Sequence, residues 1–148
     1  MASYVEELAA RLEAAGVLPP NERRGCSPAE IEKVRRAQGV RAVPERYRDF
    51  LAVLGRRPLL MLAADWRYED LLILKGEALG LLMEHEADDA FLDGALVFQM
   101  KQGIQFLFIQ AADLEMVDPP VWVYHGGAGA RPLFSSFTSF LDHAAGLA

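Results

Sequence analysis

Thiols and imidazoles are scarce in this chain: one cysteine, Cys26, and three histidines in 148 residues. A lone cysteine excludes an intrachain disulfide and suits a reducing compartment. His85, His125 and His143 lack the paired spacing of a zinc site, so no metal and no cofactor is expected. Long hydrophobic runs are absent as well. The longest, Leu59 to Ala64, is far short of the roughly 20 residues that a membrane span needs. Glu6, Glu7 and Glu13 interrupt what would have to be the apolar segment of a signal peptide, and no basic stretch precedes it. The expectation is a soluble, cytoplasmic protein with no membrane contact.

Basic charge is missing from the middle of the chain. Residues 62–122 hold 3 basic and 12 acidic side chains, a net of −9, whereas residues 1–61 hold 11 basic and 8 acidic, a net of +3. The whole chain carries −6. A phosphate backbone is repelled by the acidic stretch, so direct nucleic-acid binding is disfavoured. A basic protein is attracted to it. Such charge also keeps a small domain in solution, which is the plainer reading. No repeat, low-complexity tract or linker interrupts the sequence. With 52% hydrophobic residues, 148 residues are enough for one domain with a substantial core.

Three helices open the chain. Ser3 and Glu6 suit a capping box, and Val5, Leu8, Ala9 and Leu12 share a face, with Gly16 and Pro19-Pro20 ending the helix. Ser27-Pro28-Ala29-Glu30 is a stronger start, combining a cap, a proline at the first helical position and a glutamate three residues after the cap. Ile31 and Val34 give its apolar face, and Gly39 stops it. A third helix begins at Pro44, with Tyr47, Phe50, Leu51 and Leu54 in the core and Gly55 as terminator; Arg46, Arg48 and Asp49 face outward.

The middle is less patterned. Leu59 to Leu62 reads equally as a short buried strand or part of a turn. Leu71 to Glu86 is apolar and has room for a strand followed by a helix, with Gly76 and Gly80 weakening a continuous helix and the boundary left open. Ala95 to Met100 and Ile104 to Ile109 then flank Lys101-Gln102-Gly103, a hairpin whose glycine takes positive φ. Phe98, Phe106 and Phe108 are assigned to its buried face. Asp118-Pro119-Pro120 leads into the strand Val121 to Tyr124, with the prolines at its start. Ser135 or Ser136 caps a closing helix whose inner stripe is Phe137, Phe140, Leu141 and Ala144. Helices, then a mainly antiparallel sheet, then a helix make the class α+β.

Catalytic patterns fail one by one. Ser139, Asp142 and His143 crowd one helix, but an exposed helix face offers no oxyanion hole and no orienting geometry. Gly126-Gly127-Ala128-Gly129 follows a strand, yet no Lys-Ser/Thr comes after it, so it reads as a flexible loop and not a phosphate cradle. His85-Glu86-Ala87-Asp88-Asp89 lacks the alternation and glycine of a calcium loop and reads as an exposed acidic turn. Trp122 reads as core. Trp66 is kept as a possible interface anchor, since buried tryptophans dominate many interfaces. The candidate partner-binding set is therefore Asp65, Trp66, Glu69, Asp70, Glu86, Asp88, Asp89 and Asp93, with no catalytic residue assigned.

Four segments, in order, resemble the SUKH superfamily of Smi/Knr-type domains. Cys26-Ser27-Pro28-Ala29-Glu30-Ile31-Glu32 is similar to the family's opening helix. Val43-Pro44-Glu45-Arg46-Tyr47-Arg48-Asp49-Phe50-Leu51 resembles its most recognisable segment, although Val43 stands where leucine is usual. Asp118-Pro119-Pro120-Val121 resembles its late strand, and Ser136-Phe137-Thr138-Ser139-Phe140-Leu141 its closing helix. The resemblance runs from about residue 26 to 141, leaving residues 1–25 as an N-terminal helical extension of one domain. It implies an α+β fold and, for bacterial members, an immunity protein that binds a cognate toxin, often a nuclease. Two other functions compete with it: a regulatory scaffold with an endogenous partner, and an enzyme with a dispersed site.

Overall fold

The structure, a computed structural model, describes residues 3–19, 21–58, 60, 64–126 and 128–146. The first three helices form where the sequence signals them. Helix α1 spans Tyr4–Ala14; the Ser3 hydroxyl accepts the Glu6 N–H, and Val5, Leu8, Ala9 and Leu12 are buried. Helix α2, Pro28–Gln38, has the full reciprocal box between Ser27 and Glu30 and ends on Gly39 in the left-handed region at φ 66°. Helix α3, Glu45–Leu54, follows Pro44 and buries Tyr47, Phe50, Leu51 and Leu54. Gly55 does not stop α3 through a left-handed turn. Its φ is −61°, and it is a site of close approach, because a Cβ there would meet the Leu51 carbonyl and the Cys26 sulfur. Arg46 does not point away either. Its guanidinium lies over the Tyr4 ring and donates to Thr138 Oγ1, tying α1, α3 and the closing helix together.

The 71–86 region corrects the sequence reading. It contains no strand: α4 (Tyr68–Leu71) ends on its first residue, and one helix, α5, runs from Leu74 to Glu84. Gly76 and Gly80 sit on the exposed side of α5, where no side chain has to fit, so their cost in propensity does not break the helix. The segment 59–62, read as a short buried strand or part of a turn, lies largely outside the described residues. Leu60 is described; it is buried, and its carbonyl accepts the indole N–H of Trp66.

Among the described residues the sheet is an antiparallel meander of five strands in sequence order: β1 (Ala64–Asp65), β2 (Leu96–Lys101), β3 (Gln105–Ile109), β4 (Val121–His125) and β5 (Gly129–Phe134). The β2–β3 turn has both Gln102 (φ 54°) and Gly103 (φ 69°) left-handed, and Lys101 and Gln105 pair across it. The sequence reading gave no strand at β5. It is an exposed edge containing Arg131 and Pro132, and a proline on an edge blocks further strand addition.

Two aromatic groups flank the sheet. A bulge at Phe98 shifts the β2 register and sends that ring toward Tyr47, Phe137 and Phe140. Phe106 and Phe108 pack instead with Phe91, Trp122 and Tyr124. The closing helix, α6 (Phe137–Ala144), is capped by Ser136 and buries Phe137, Phe140 and Leu141.

One buried polar residue closes a gap in this design. Among the described residues, strand β1 is two residues long and pairs with Met100 and Lys101 alone, and no strand lies beside the outer edge of β2 near Val97. The Gln38 carboxamide takes that place. Its Oε1 accepts the Val97 N–H at 3.0 Å, and its Nε2 donates to the carbonyls of Val97 (2.8 Å) and Leu71 (2.9 Å). The amide thus offers β2 both a donor and an acceptor, as a strand would.

Candidate protein interface

The acidic candidates divide into two places in the fold. Asp65, Glu69 and Asp70 lie around the start of α4, before α5. Glu86, Asp88, Asp89 and Asp93 lie after it. The 11-residue α5, about 16 Å long, lies between Asp70 and Glu86, but the chain then returns beside it, so Asp89 and Asp93 lie near Lys75 in its first turn.

The first group is largely occupied by the fold. The Asp70 carboxylate accepts the Arg67 N–H at 3.1 Å, which caps α4. Glu69 lies 3.4 Å from Arg56, whose guanidinium also pairs with Glu30 and rests over the Tyr68 ring. Trp66 is buried in the free chain: it is 2% exposed, stacks on Phe50 at 4.9 Å and meets Phe140 edge-on. Its neighbours in sequence hid this, because Trp66 lies just after β1 and its aromatic partners come from α3 and α6. Asp65 remains exposed.

Of the second group, Glu86 and Asp88 follow the end of α5, and Asp89 and Asp93 lie back along its first half. Helix α5 closes with paired bonds from the Ala87 N–H to the Leu82 carbonyl and from the Glu86 N–H to the Met83 carbonyl. This closure puts Glu86 at φ 53°, a position that glycine usually fills. A carboxylate there also meets the negative end of the helix dipole. Glu86 is therefore placed where neither backbone nor local field favours it. Asp88 accepts the Ala90 N–H. His85 is held alongside, its Nδ1 2.8 Å from the Tyr124 hydroxyl.

Asp89 and Asp93 share a cleft of about 550 Å³ with Arg36, Lys75 and Leu79. The Lys75 ammonium donates to the carbonyls of Gln38 (3.0 Å) and Ala95 (2.6 Å). Burial pulls it below the ordinary lysine value, and Asp93 opposes that shift. This margin therefore carries both signs of charge. Among the described residues, no ion pair involves Asp65, Glu86, Asp88, Asp89 or Asp93.

The sequence reading missed the outer face of α5. Leu74, Ala78, Leu81 and Leu82 pack inward. On the opposite side Met83 is 80%, Ile73 57% and Leu79 37% exposed, and Gly76 and Gly80 lie between them with open space above. Glu77 and Glu84 run along one margin. The signal was present in the sequence: the run from Leu71 to Met83 is apolar at nearly every angle, and a helix apolar all round is one covered on both sides.

The other chemical candidates separate. Asp142 accepts the Tyr4 hydroxyl, and the His143 ring lies against Phe134, so neither is directed at Ser139. Burial pushes the Cys26 thiol up to about 11, which leaves it protonated and unreactive at neutral pH. Among the described residues, no group of three or more His, Cys, Asp or Glu side chains is close enough to hold a metal, and no helix is long and apolar enough to cross a membrane.

No curated protein and no solved structure matches the chain. A family model matches residues 25–143, from the loop before α2 through α6, and on that match the chain belongs to the SMI1/KNR4 family (SUKH-1).

Proposed function

We propose that this chain is an immunity-type protein, acting in the cytoplasm, that neutralises a cognate toxin by forming a stoichiometric complex, without catalysis. Family membership over residues 25–143 carries the reading, since domains of this kind serve immunity or regulation by binding proteins. The surface supports it. The acidic turn with Glu86, Asp88, Asp89 and Asp93 steers a basic partner, as the charge on a nuclease substrate's backbone would. Asp65 adds to the field from the other end of α5.

The test is co-expression with the C-terminal domain of the large secreted protein encoded nearest to its gene. Host survival with a one-to-one complex supports neutralisation. A persistent complex with a housekeeping protein, and no rescue, replaces it with a regulatory role. In the rescued pair, reversing charge at Glu86, Asp88, Asp89 and Asp93 slows association and flattens its dependence on salt; unchanged rates remove the steering mechanism.

A further inference from the structure

We infer that the outer face of α5 receives an amphipathic helix from a basic partner, an assignment that rests on the protein-binding reading and gives it a surface. At 100° per residue, Ile73, Gly76, Leu79, Gly80 and Met83 fall within about 120° of arc, opposite the buried stripe. That arc carries no charge. On a helix with one side in the core, this is the face where charged side chains normally stand. Here it presents apolar side chains and bare backbone instead, and a Cβ added at either glycine would meet open space among the described residues.

The margin beside Leu79 carries both signs of charge, with Arg36 and Lys75 near Asp89 and Asp93, whereas the margin beside the β2–β3 turn is acidic and sets the partner's charge. A hollow of about 230 Å³ lies between α5 and the β2–β3 turn, lined by Glu77, Gly80, Leu81, Glu84, Met100 and Gly103. Two carboxylates one above the other on an apolar floor fit a lysine or arginine side chain, whose stem packs and whose head pairs. Glu86 extends the acidic margin past the end of the helix. A helix with leucine-like residues on one side and basic residues beside them matches both features. The glycines permit close approach of the two backbones, and the flanking Ile73 and Met83 close over the crossing.

The test uses two synthetic helical peptides, each with leucines along one face, one flanked by lysines and the other by glutamates. With isotope-labelled protein, the lysine peptide shifts the amide resonances of Ile73, Gly76, Leu79, Gly80 and Met83, and the glutamate peptide does not. Ile73→Ser with Met83→Ser weakens binding about tenfold or more. Gly76→Ala with Gly80→Ala raises Tm yet weakens binding, a combination that a merely structural role does not produce. Shifts elsewhere, no shifts, equal binding of both peptides, or concentration-dependent pairing of the chain through α5 overturns the assignment. The neutralisation reading fails separately. If a toxin complex forms and survives the double-serine variant, the surface is wrong and toxin binding stands; if the lysine peptide binds at α5 and no toxin is neutralised, the reverse holds.

Discussion

Replacing Gln38 with leucine tests the most specific device in the fold. The side chain is 1% exposed and makes three hydrogen bonds, which stand in for a missing strand beside Val97. Leucine has similar bulk and no polar atoms. The Val97 N–H and the carbonyls of Val97 and Leu71 then lose these partners inside the protein. A buried group left unsatisfied costs about 1–3 kcal/mol, and partial access of water limits the sum, so we expect a loss of about 3–5 kcal/mol. For a chain of this size that corresponds to a fall in Tm of roughly 10 °C. Urea unfolding followed by circular dichroism measures it. Gln38→Glu separates hydrogen bonding from shape. Its carboxylate keeps an acceptor for the Val97 N–H but faces two carbonyls, so it is destabilising at neutral pH. Burial and those carbonyls raise its pKa in the folded state, so stability recovers as the pH falls and the group protonates. A loss below about 1 kcal/mol for Gln38→Leu refutes the reasoning, because it means the edge of β2 does not depend on this amide.

Glu86→Gly relieves a left-handed backbone and removes a carboxylate from the negative end of α5, so stability rises by about 1–2 kcal/mol in thermal or urea unfolding. Glu32 contributes on the acid side. Its hydrogen bonds to Arg35 hold its carboxyl down from 4.5 to about 2, so its contribution is fully present above 4.5 and is lost as the pH falls toward 2. Glu32→Gln accordingly narrows the gap between stability at pH 7 and at pH 3, as acid titration of the unfolding midpoint shows.

Locally encoded features were legible in the sequence. The starts of α1, α2 and α6 depend on a serine and the three residues after it. The inward stripes of α1 and α3 depend on the 3.6-residue period. The β2–β3 turn depends on a glycine between two apolar runs. Each is fixed by short-range sterics and hydrogen bonding, so the residues that cause it lie within a few positions of each other. The family match over residues 25–143 spans all of these features except those of α1.

Tertiary structure decided the rest. The segment around Gly76 reads as a broken pattern because its glycines cost propensity, and only packing of Leu74, Ala78, Leu81 and Leu82 against the sheet makes α5 one helix. Strand β5 exists because β4 offers it an edge, not because Gly-Ala-Arg-Pro favours extension. Trp66 turns inward because α3 and α6 supply ring partners distant in sequence. For the interface, the sequence determined how much acidic charge there is and roughly where. The fold decided which carboxylates cap and pair, as at Asp70 and Glu69, and which face outward beside an uncovered apolar helix. Exposure belongs to the whole packing arrangement, since burying one face of α5 is what leaves the other in water.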